Sequence, residues 1–337
     1  MLNALLMFFG LAAVIAVAGT VLARAADEIA ESTGFGRLLI GSVLLAGATS
    51  LPELTVDISA IRMGKPDLAV GDLLGSCLMN LLILALLDLT HYSRGRMLSR
   101  MAAAHAMSGL LSIGLCGLVC LGLLTTARHA DWSFLGVHLW IWLTAGGYVA
   151  GVRLVFLDQR IAVRAIADEH RPAEPQHAPP PVWKSVARFA TAAIAILFTG
   201  PHLAETADKL ADLSGLGKTF VGTTFVALTT SLPELVASLA ALRLGSVDLA
   251  IGNVFGSNAF NLLLLLPLDF LHSGALLAAV TPAHAVSAIA TMVATSVVLM
   301  GQLYHAEKRR PIVEPDAWLV IALILAALGL VYLNGLE

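Results

Sequence analysis

The stretch TSLPEL at Thr49–Leu54, followed by DLAVGDLLGSCLMN at Asp67–Asn80, recurs as TSLPEL at Thr230–Leu235 followed by DLAIGNVFGSNAFN at Asp248–Asn261. Glu53 matches Glu234, Gly75 matches Gly256 and Asn80 matches Asn261, all at a constant offset of 181 residues without a gap. An internal repeat decides the reading of the fold, because each copy is one unit of a duplicated architecture. The offset extends upstream: LARAAD at Leu22–Asp27 aligns with LAETAD at Leu203–Asp208, and GFGR at Gly34–Arg37 with GLGK at Gly215–Lys218.

Of the 337 residues 58% are hydrophobic and only 13% charged, about half the ~25% charge of a soluble domain. Apolar runs of membrane-spanning length recur along the chain, which makes it a polytopic membrane protein and excludes a soluble globule. A net charge of −3 gives no electrostatic footprint for nucleic acid. Met1–Ala26 has the look of a secretory signal, but no basic residue precedes its apolar core. Its counterpart in mid-chain reads it as a retained first helix. Cys77, Cys116 and Cys120 all lie in apolar stretches, and Cys116 and Cys120, one helical turn apart, read as core packing rather than a metal pair.

The pattern predicts an all-α polytopic membrane protein with ten spanning helices, at 3–24, 36–62, 67–89, 100–126, 133–156, 183–202, 218–243, 248–271, 277–302 and 316–334. The domains are then a first five-helix repeat at 1–156 (core motif about 36–89), a Pro-rich linker at 157–182, and a second five-helix repeat at 183–337 (core motif about 218–271). The linker holds RPAEPQHAPPP, which cannot form a helix interior and reads as an extended tether.

With the N-terminus outside, the inner segments carry Arg24, Arg37, Arg94, Arg96, Arg100, Arg153, Arg160, Arg164, Arg171, Lys184, Arg188, Arg243, Lys308, Arg309 and Arg310. The outer segments carry Arg62, Lys65, Arg128, Lys209 and Lys218. That bias places both termini outside and the linker in the cytoplasm. Equivalent points of the copies are separated by five helices, an odd number, so the copies cross the membrane in opposite senses. Such inverted repeats typify secondary transporters with a midplane site at the repeat interface. A weaker echo, AHAMS at Ala104–Ser108 and AHAVS at Ala283–Ser287, supports the duplication.

Pro52 and Pro233 fall inside spanning segments, where each removes a backbone donor and kinks its helix. Carbonyls freed in this way persist in a membrane where they line a polar cavity. Glu53 and Glu234 follow directly. Thr49 and Ser50 precede Glu53 by four and three residues and share its helix face, as Thr230 and Ser231 do for Glu234. In the next helix Asp72, Ser76 and Asn80 recur every four residues, matched by Asn253, Ser257 and Asn261. Gly71, Gly75, Gly252 and Gly256 allow close backbone approach.

Joined across a pseudo-two-fold axis, these groups form a cage of carboxylate, hydroxyl, amide and carbonyl oxygens. No His or Cys accompanies either TSLPEL segment, so the donor set suits hard cations such as Ca2+ and Na+ rather than zinc or copper. A mid-membrane acid costs about 2.5–3.5 kcal/mol even on the lenient insertion scale, and two such acids call for a compensating cation. The structural alternative, protonated or helix-bridging glutamates beside ordinary kinks, explains neither the duplication nor the hydroxyls.

TSLPEL with GNVFGSNAFN resembles the second repeat of the Ca2+/cation antiporter superfamily, within it the sodium/calcium exchanger proteins with two α-repeats, and GDLLGSCLMN is a looser match to the first. The resemblance covers almost the whole chain. It implies two inverted sets of five helices and Ca2+/Na+ antiport, with both ions as substrates, the lipid bilayer as surroundings, no resident cofactor and no enzymatic activity. Glu53 and Glu234 are implied as central ligands. Thr49, Ser50, Thr230, Ser231, Ser76 and Ser257 complete the ion sites by side-chain or backbone oxygens, and Asn80 and Asn261 line the cavity. The first and sixth helices, 3–24 and 183–202, are implied to slide past this core. The expected location is the cell (inner) membrane.

The chain departs from that family in places. Asn261 stands where microbial exchangers often carry Asp, Cys77 replaces the Asn of GSN, Asp72 stands where the second copy has Asn253, and Asp57 matches Ser238, normally a small hydroxyl residue. The two extra acids Asp57 and Asp72 can alter stoichiometry, admit a proton or favour another divalent ion, or simply face water or a polar neighbour. H+-coupled Ca2+ or other divalent antiport is therefore the alternative function. An intramembrane enzyme using Ser50 or Ser231 lacks a general base at a recognisable spacing, and a channel would need no counter-ion. His105 and His284 read as hydrogen-bonded interfacial residues, with a proton role conceivable, and His202 beside Pro201 as a helix break. Trp132, Trp140, Trp142, Trp183 and Trp318 read mostly as interfacial anchors.

Overall fold

The structure is a computed structural model describing residues 1–90, 102–126, 132–169, 181–214, 228–303 and 315–334. Among these, seven helices are long and apolar enough to cross a membrane, and a bent pair makes an eighth span. They are α1 (Leu2–Thr33), α5 (Pro66–Thr90), α6 (Ala102–Thr125), α7 (Leu139–Glu169), α8 (Val182–Ser214), α10 (Val247–Leu271) and α11 (His284–Leu303). The bent pair is α2 (Arg37–Ile40), a π turn (Gly41–Leu45) and α3 (Ala46–Thr49), joined at 42° to α4 (Leu51–Arg62). Its equivalent in the second copy is α9 (Leu232–Arg243), preceded by helical 228–230. The first part of the expected seventh span, 218–227, lies outside the described residues, and α12 (Pro315–Asn334) carries a shorter apolar helix at Ala317–Leu330.

Several ends differ from the sequence reading. Helix α1 runs on to Thr33, where Gly34 at φ 69° returns its N–H to the Ala30 carbonyl. Helix α8 continues through Pro201 to Ser214, so His202 does not mark a break; packing in a membrane bundle tolerates the lost backbone bond. The stretch 133–138 is not helical: β1 (Ser133–Phe134) and β2 (Val137–His138) pair antiparallel around Leu135 and Gly136, at φ 52° and 81°. This is the turn geometry that a two-residue hairpin demands. Helix α11 begins at His284 rather than 277, after a 3-10 turn at Leu276–Ala278. Helix α7 reaches Glu169, so the first part of the expected 157–182 linker is helical, and its Pro-rich core at 170–180 lies outside the described residues.

The centre of the molecule is α10. Most of its residues are buried, among them Phe255, and α5 crosses it. At the crossing the Cys77 thiol donates to the carbonyl of Asn258 at 3.6 Å. These residues are equivalent at the 181 offset, so the two copies meet here on their pseudo-two-fold axis. The π turn packs backbone to backbone on α10: a Cβ at Gly41 would lie 2.6 Å from the Leu249 carbonyl oxygen, and one at Gly252 would lie 2.6 Å from that of Leu38. Helix α1 packs along α8 and also against α9, whereas α8 packs against α4. Its outward face carries exposed Leu2, Leu6, Phe9 and Val17, a surface for lipid rather than water. Cys116 and Cys120 pack in the apolar cluster of α5, α6 and α10 with Leu115 and Val119.

Candidate functional site

Both copies break their helix in the same way. Ser50 has φ −86° and ψ 8°, Ser231 φ −80° and ψ 5°, and each is followed by a 12-residue helix with proline among its first residues and glutamate in its first turn. A proline there cannot donate to the carbonyl four residues earlier, that of Ala48 or Thr229. Each helix begins inside the bundle with its N-terminal, positive dipole end beside its own glutamate, a placement that favours the carboxylate form.

The sequence-derived residues converge. Thr49, Ser50, Glu53, Asp57, Ser76, Asn80, Glu234, Ser257 and Asn261 have no exposed surface, and Thr230 and Ser231 are at 1%. Contacts run between the copies. Ser50 Oγ donates to Glu234 Oε1 at 3.4 Å. Thr49 Oγ1 lies 3.4 Å from Ser257 Oγ and donates to Asn253 Oδ1 at 3.4 Å. Asn80 Nδ2 donates to Asn258 Oδ1 at 3.0 Å, and Asn261 lies beside the Cys77 thiol. Asn258, the equivalent of Cys77, is a buried partner of Asn80 that the sequence reading left out of the site, although its position on the repeat axis marks it.

Both oxygens of Glu53, Oε2 of Glu234, Oδ1 of Asn80 and Asn261, and the hydroxyls of Ser76 and Ser231 are buried without a hydrogen-bond partner, as are the amide nitrogens of Asn258 and Asn261. Buried oxygens of this kind are costly unless a donor or cation meets them. Among the described residues no three His, Cys, Asp or Glu side chains converge as a metal-chelating group. An ion here would therefore take carboxylates together with neutral hydroxyl, amide and carbonyl oxygens, the donor set of hard cations.

The two echo histidines are cross-copy partners of the site helices. His105 on α6 lies 2.9 Å from Asp248 in the first turn of α10, and His284 on α11 lies 3.1 Å from Asp67 in the first turn of α5. Asp67 and Asp248 are equivalent, and the two-fold relation sets these pairs at opposite ends of the bundle. At the His105 end, Arg37 and Ser246 both bond Asp27 of α1, while Arg188 and Ser185 of α8 bond Glu28. Trp132, Trp183 and Trp318 are half exposed or more, whereas Trp140 and Trp142 are partly buried and hydrogen-bonded to Thr125 Oγ1 and the Phe134 carbonyl.

The sequence matches the family model described as sodium/calcium exchanger protein over residues 3–144 and 184–335. It is 29% identical to the inner membrane protein YrbG of Escherichia coli (strain K12) over 253 residues, 73% of each chain. It is 40% identical to the sodium/calcium exchanger MaX1 of Methanosarcina acetivorans over 86 residues, 26% of this chain and 25% of that one. The fold is similar to that of the sodium-calcium exchanger NCX_Mj, with a TM-score of 0.68 at 20% identity over 98% of this chain and 99% of the other. With the family model covering most of the chain, the protein belongs to the sodium/calcium exchanger family, a family of membrane transporters, and is a multi-pass membrane cation antiporter.

Proposed function

We propose that the protein exports Ca2+ in exchange for inward Na+ by alternating access, using the cage built on Glu53 and Glu234. The observation that carries this reading is the convergence of two buried glutamates, with three of their four oxygens unpartnered, on two equivalent helix breaks lined by hydroxyl and amide oxygens. Thr49, Ser50, Thr230, Ser231, Ser76 and Ser257 supply neutral oxygens, and Asn80 and Asn261 line the wall. A Ca2+ ion or several Na+ ions neutralise the two carboxylates, so the loaded cage can close, whereas the empty one, with two like charges, resists closure. The ions are cargo, and no resident cofactor is needed.

Helices α1 and α8 are the elements proposed to move. Each passes the other copy's broken helix at a glycine: Gly19 faces Val236 of α9, and Gly200 faces Pro52 of α4. Gly19 and Gly200 are equivalent at the 181 offset. The basic residues support an orientation with both termini outside the cell membrane, which puts the network around Asp27, Glu28, Arg37 and Arg188 on the cytoplasmic side. A second reading, H+ in place of Na+, rests on the two further acids Asp57 and Asp72, whose charge a proton can also neutralise. Tracer Ca2+ uptake into proteoliposomes under a Na+ gradient or a pH gradient separates the two. Uptake that follows the pH gradient and ignores internal Na+ would overturn sodium coupling.

A further inference from the structure

The copies differ chemically at one pair of facing positions. In the second copy Ser238, one turn beyond Glu234, meets Asn253 of α10, and Asn253 Nδ2 donates to Ser238 Oγ at 3.0 Å and to the Glu234 carbonyl at 3.4 Å. An amide donor against a hydroxyl closes that position with neutral groups. Subtracting 181 gives Asp57 and Asp72, so the first copy sets two carboxyls where the second has a satisfied amide–hydroxyl pair. The repeat sets these carboxyls at the positions that bond each other in the second copy, and neither Asp57 oxygen nor Asp72 Oδ2 has a hydrogen-bond partner. Asp57 has no exposed surface.

Two neighbouring side chains point to what fills the gap. Ser76, one turn beyond Asp72 on the same face of α5, is fully buried with an unpartnered hydroxyl. Glu53, one turn before Asp57 on α4, keeps both oxygens unpartnered. Facing carboxylates repel unless a proton or a cation lies between them, and oxygen-only ligands select a hard cation.

We propose that Asp57 and Asp72, with the Ser76 hydroxyl, form a second site for a hard divalent cation beside the Glu53–Glu234 cage. This rests on the reading of that cage as a cation site. A divalent ion is the matching charge: with Ca2+ held by Glu53 and Glu234, the remaining pair carries two negative charges of its own. The second copy, closed by Asn253 and Ser238, has no counterpart, so the extra ion belongs to the first copy alone.

The test is equilibrium dialysis of radioactive Ca2+ against the purified full-length protein in detergent. The variant Asp57→Ser with Asp72→Asn installs the pair that the second copy already packs, and gel filtration and helical circular dichroism check its fold. The wild type is expected to bind two Ca2+ per chain, this double variant one, and Glu53→Gln with Glu234→Gln one. If the double variant fails to fold, Asp72→Asn alone must abolish or weaken one of the two binding events and leave the other in place. Equal Ca2+ counts in the wild type and the Asp57/Asp72 variant overturn the second site. Retention of both ions by the Glu53/Glu234 variant would instead overturn the cage itself, so the two failures are distinguishable.

Discussion

Adding one methyl group at Gly200 tests whether α8 must pass α4 closely. A Cβ there would lie 2.5 Å from Pro52 Cβ and 2.6 Å from its Cγ. Carbon atoms in ordinary contact sit about 3.5–4.0 Å apart, so the methyl intrudes by roughly 1 Å. The Pro52 ring is stiff and its helix break carries Glu53, so relief requires α8 to back away from the site. Overpacking of this kind costs about 1–3 kcal/mol. Gly19 is the internal control: its added Cβ would meet Val236 Cγ1 at 2.9 Å and Cβ at 3.2 Å, a smaller intrusion than at Gly200. Gly19→Ala should therefore fall at the low end of that range. A penalty present in one access state and relieved in the other shifts their populations by about tenfold for each 1.4 kcal/mol. Thermal unfolding in detergent and initial rates of Ca2+ uptake are the assays. Gly200→Ala should lower the unfolding temperature and slow uptake about tenfold or more, and Gly19→Ala should do less of both. A Gly200→Ala protein that unfolds and transports like the wild type would refute the steric reasoning.

Other substitutions probe how the site helices are held. Gly252→Ala drives a Cβ into the Leu38 carbonyl oxygen at 2.6 Å, a backbone atom with no rotamer to yield, and should cost about 1–3 kcal/mol in unfolding free energy. Pairing it with Gly41→Ala should be less than additive, because both methyls open the same crossing. Asp269→Asn should be destabilising by about 1.5–3 kcal/mol, since the carboxylate accepts from the backbone N–H of both His138 and Leu276, at 2.7 and 2.6 Å, and an amide can accept only one of them. His105→Ala should lower the unfolding temperature more than His284→Ala: the His105 side chain is 2% exposed and that of His284 17%, so its partner Asp248 loses the better-shielded bond. Equal effects of the two histidine variants would contradict that ordering.

The duplication was readable because its residues are repeated in order, and it located the helix breaks, the glutamates and the hydroxyls that the structure gathers together. What sequence could not supply were partners from remote segments. The first span was expected to end at 24, yet α1 continues to Thr33, and Arg37, Ser246, Ser185 and Arg188 bond its Asp27 and Glu28 from elsewhere in the chain. His105 and His284 were visible as an echo, but their acids sit more than 140 residues away. Pro201 gives a local stop signal that bundle packing overrides, and the hairpin before α7 turns on Leu135 and Gly136, two residues inside an apolar run. Asp57 and Asp72 stood out as departures. Their facing arrangement became evident only beside the Asn253–Ser238 bond.

The most direct measurement is tracer Ca2+ uptake into proteoliposomes loaded with Na+, compared with K+ or choline and with an imposed pH gradient, for the wild type, Glu53→Gln and Glu234→Gln. The account predicts uptake that requires internal Na+ and is lost in both variants. Uptake that persists in either glutamate variant, or that proceeds without a counter-ion gradient, would contradict it.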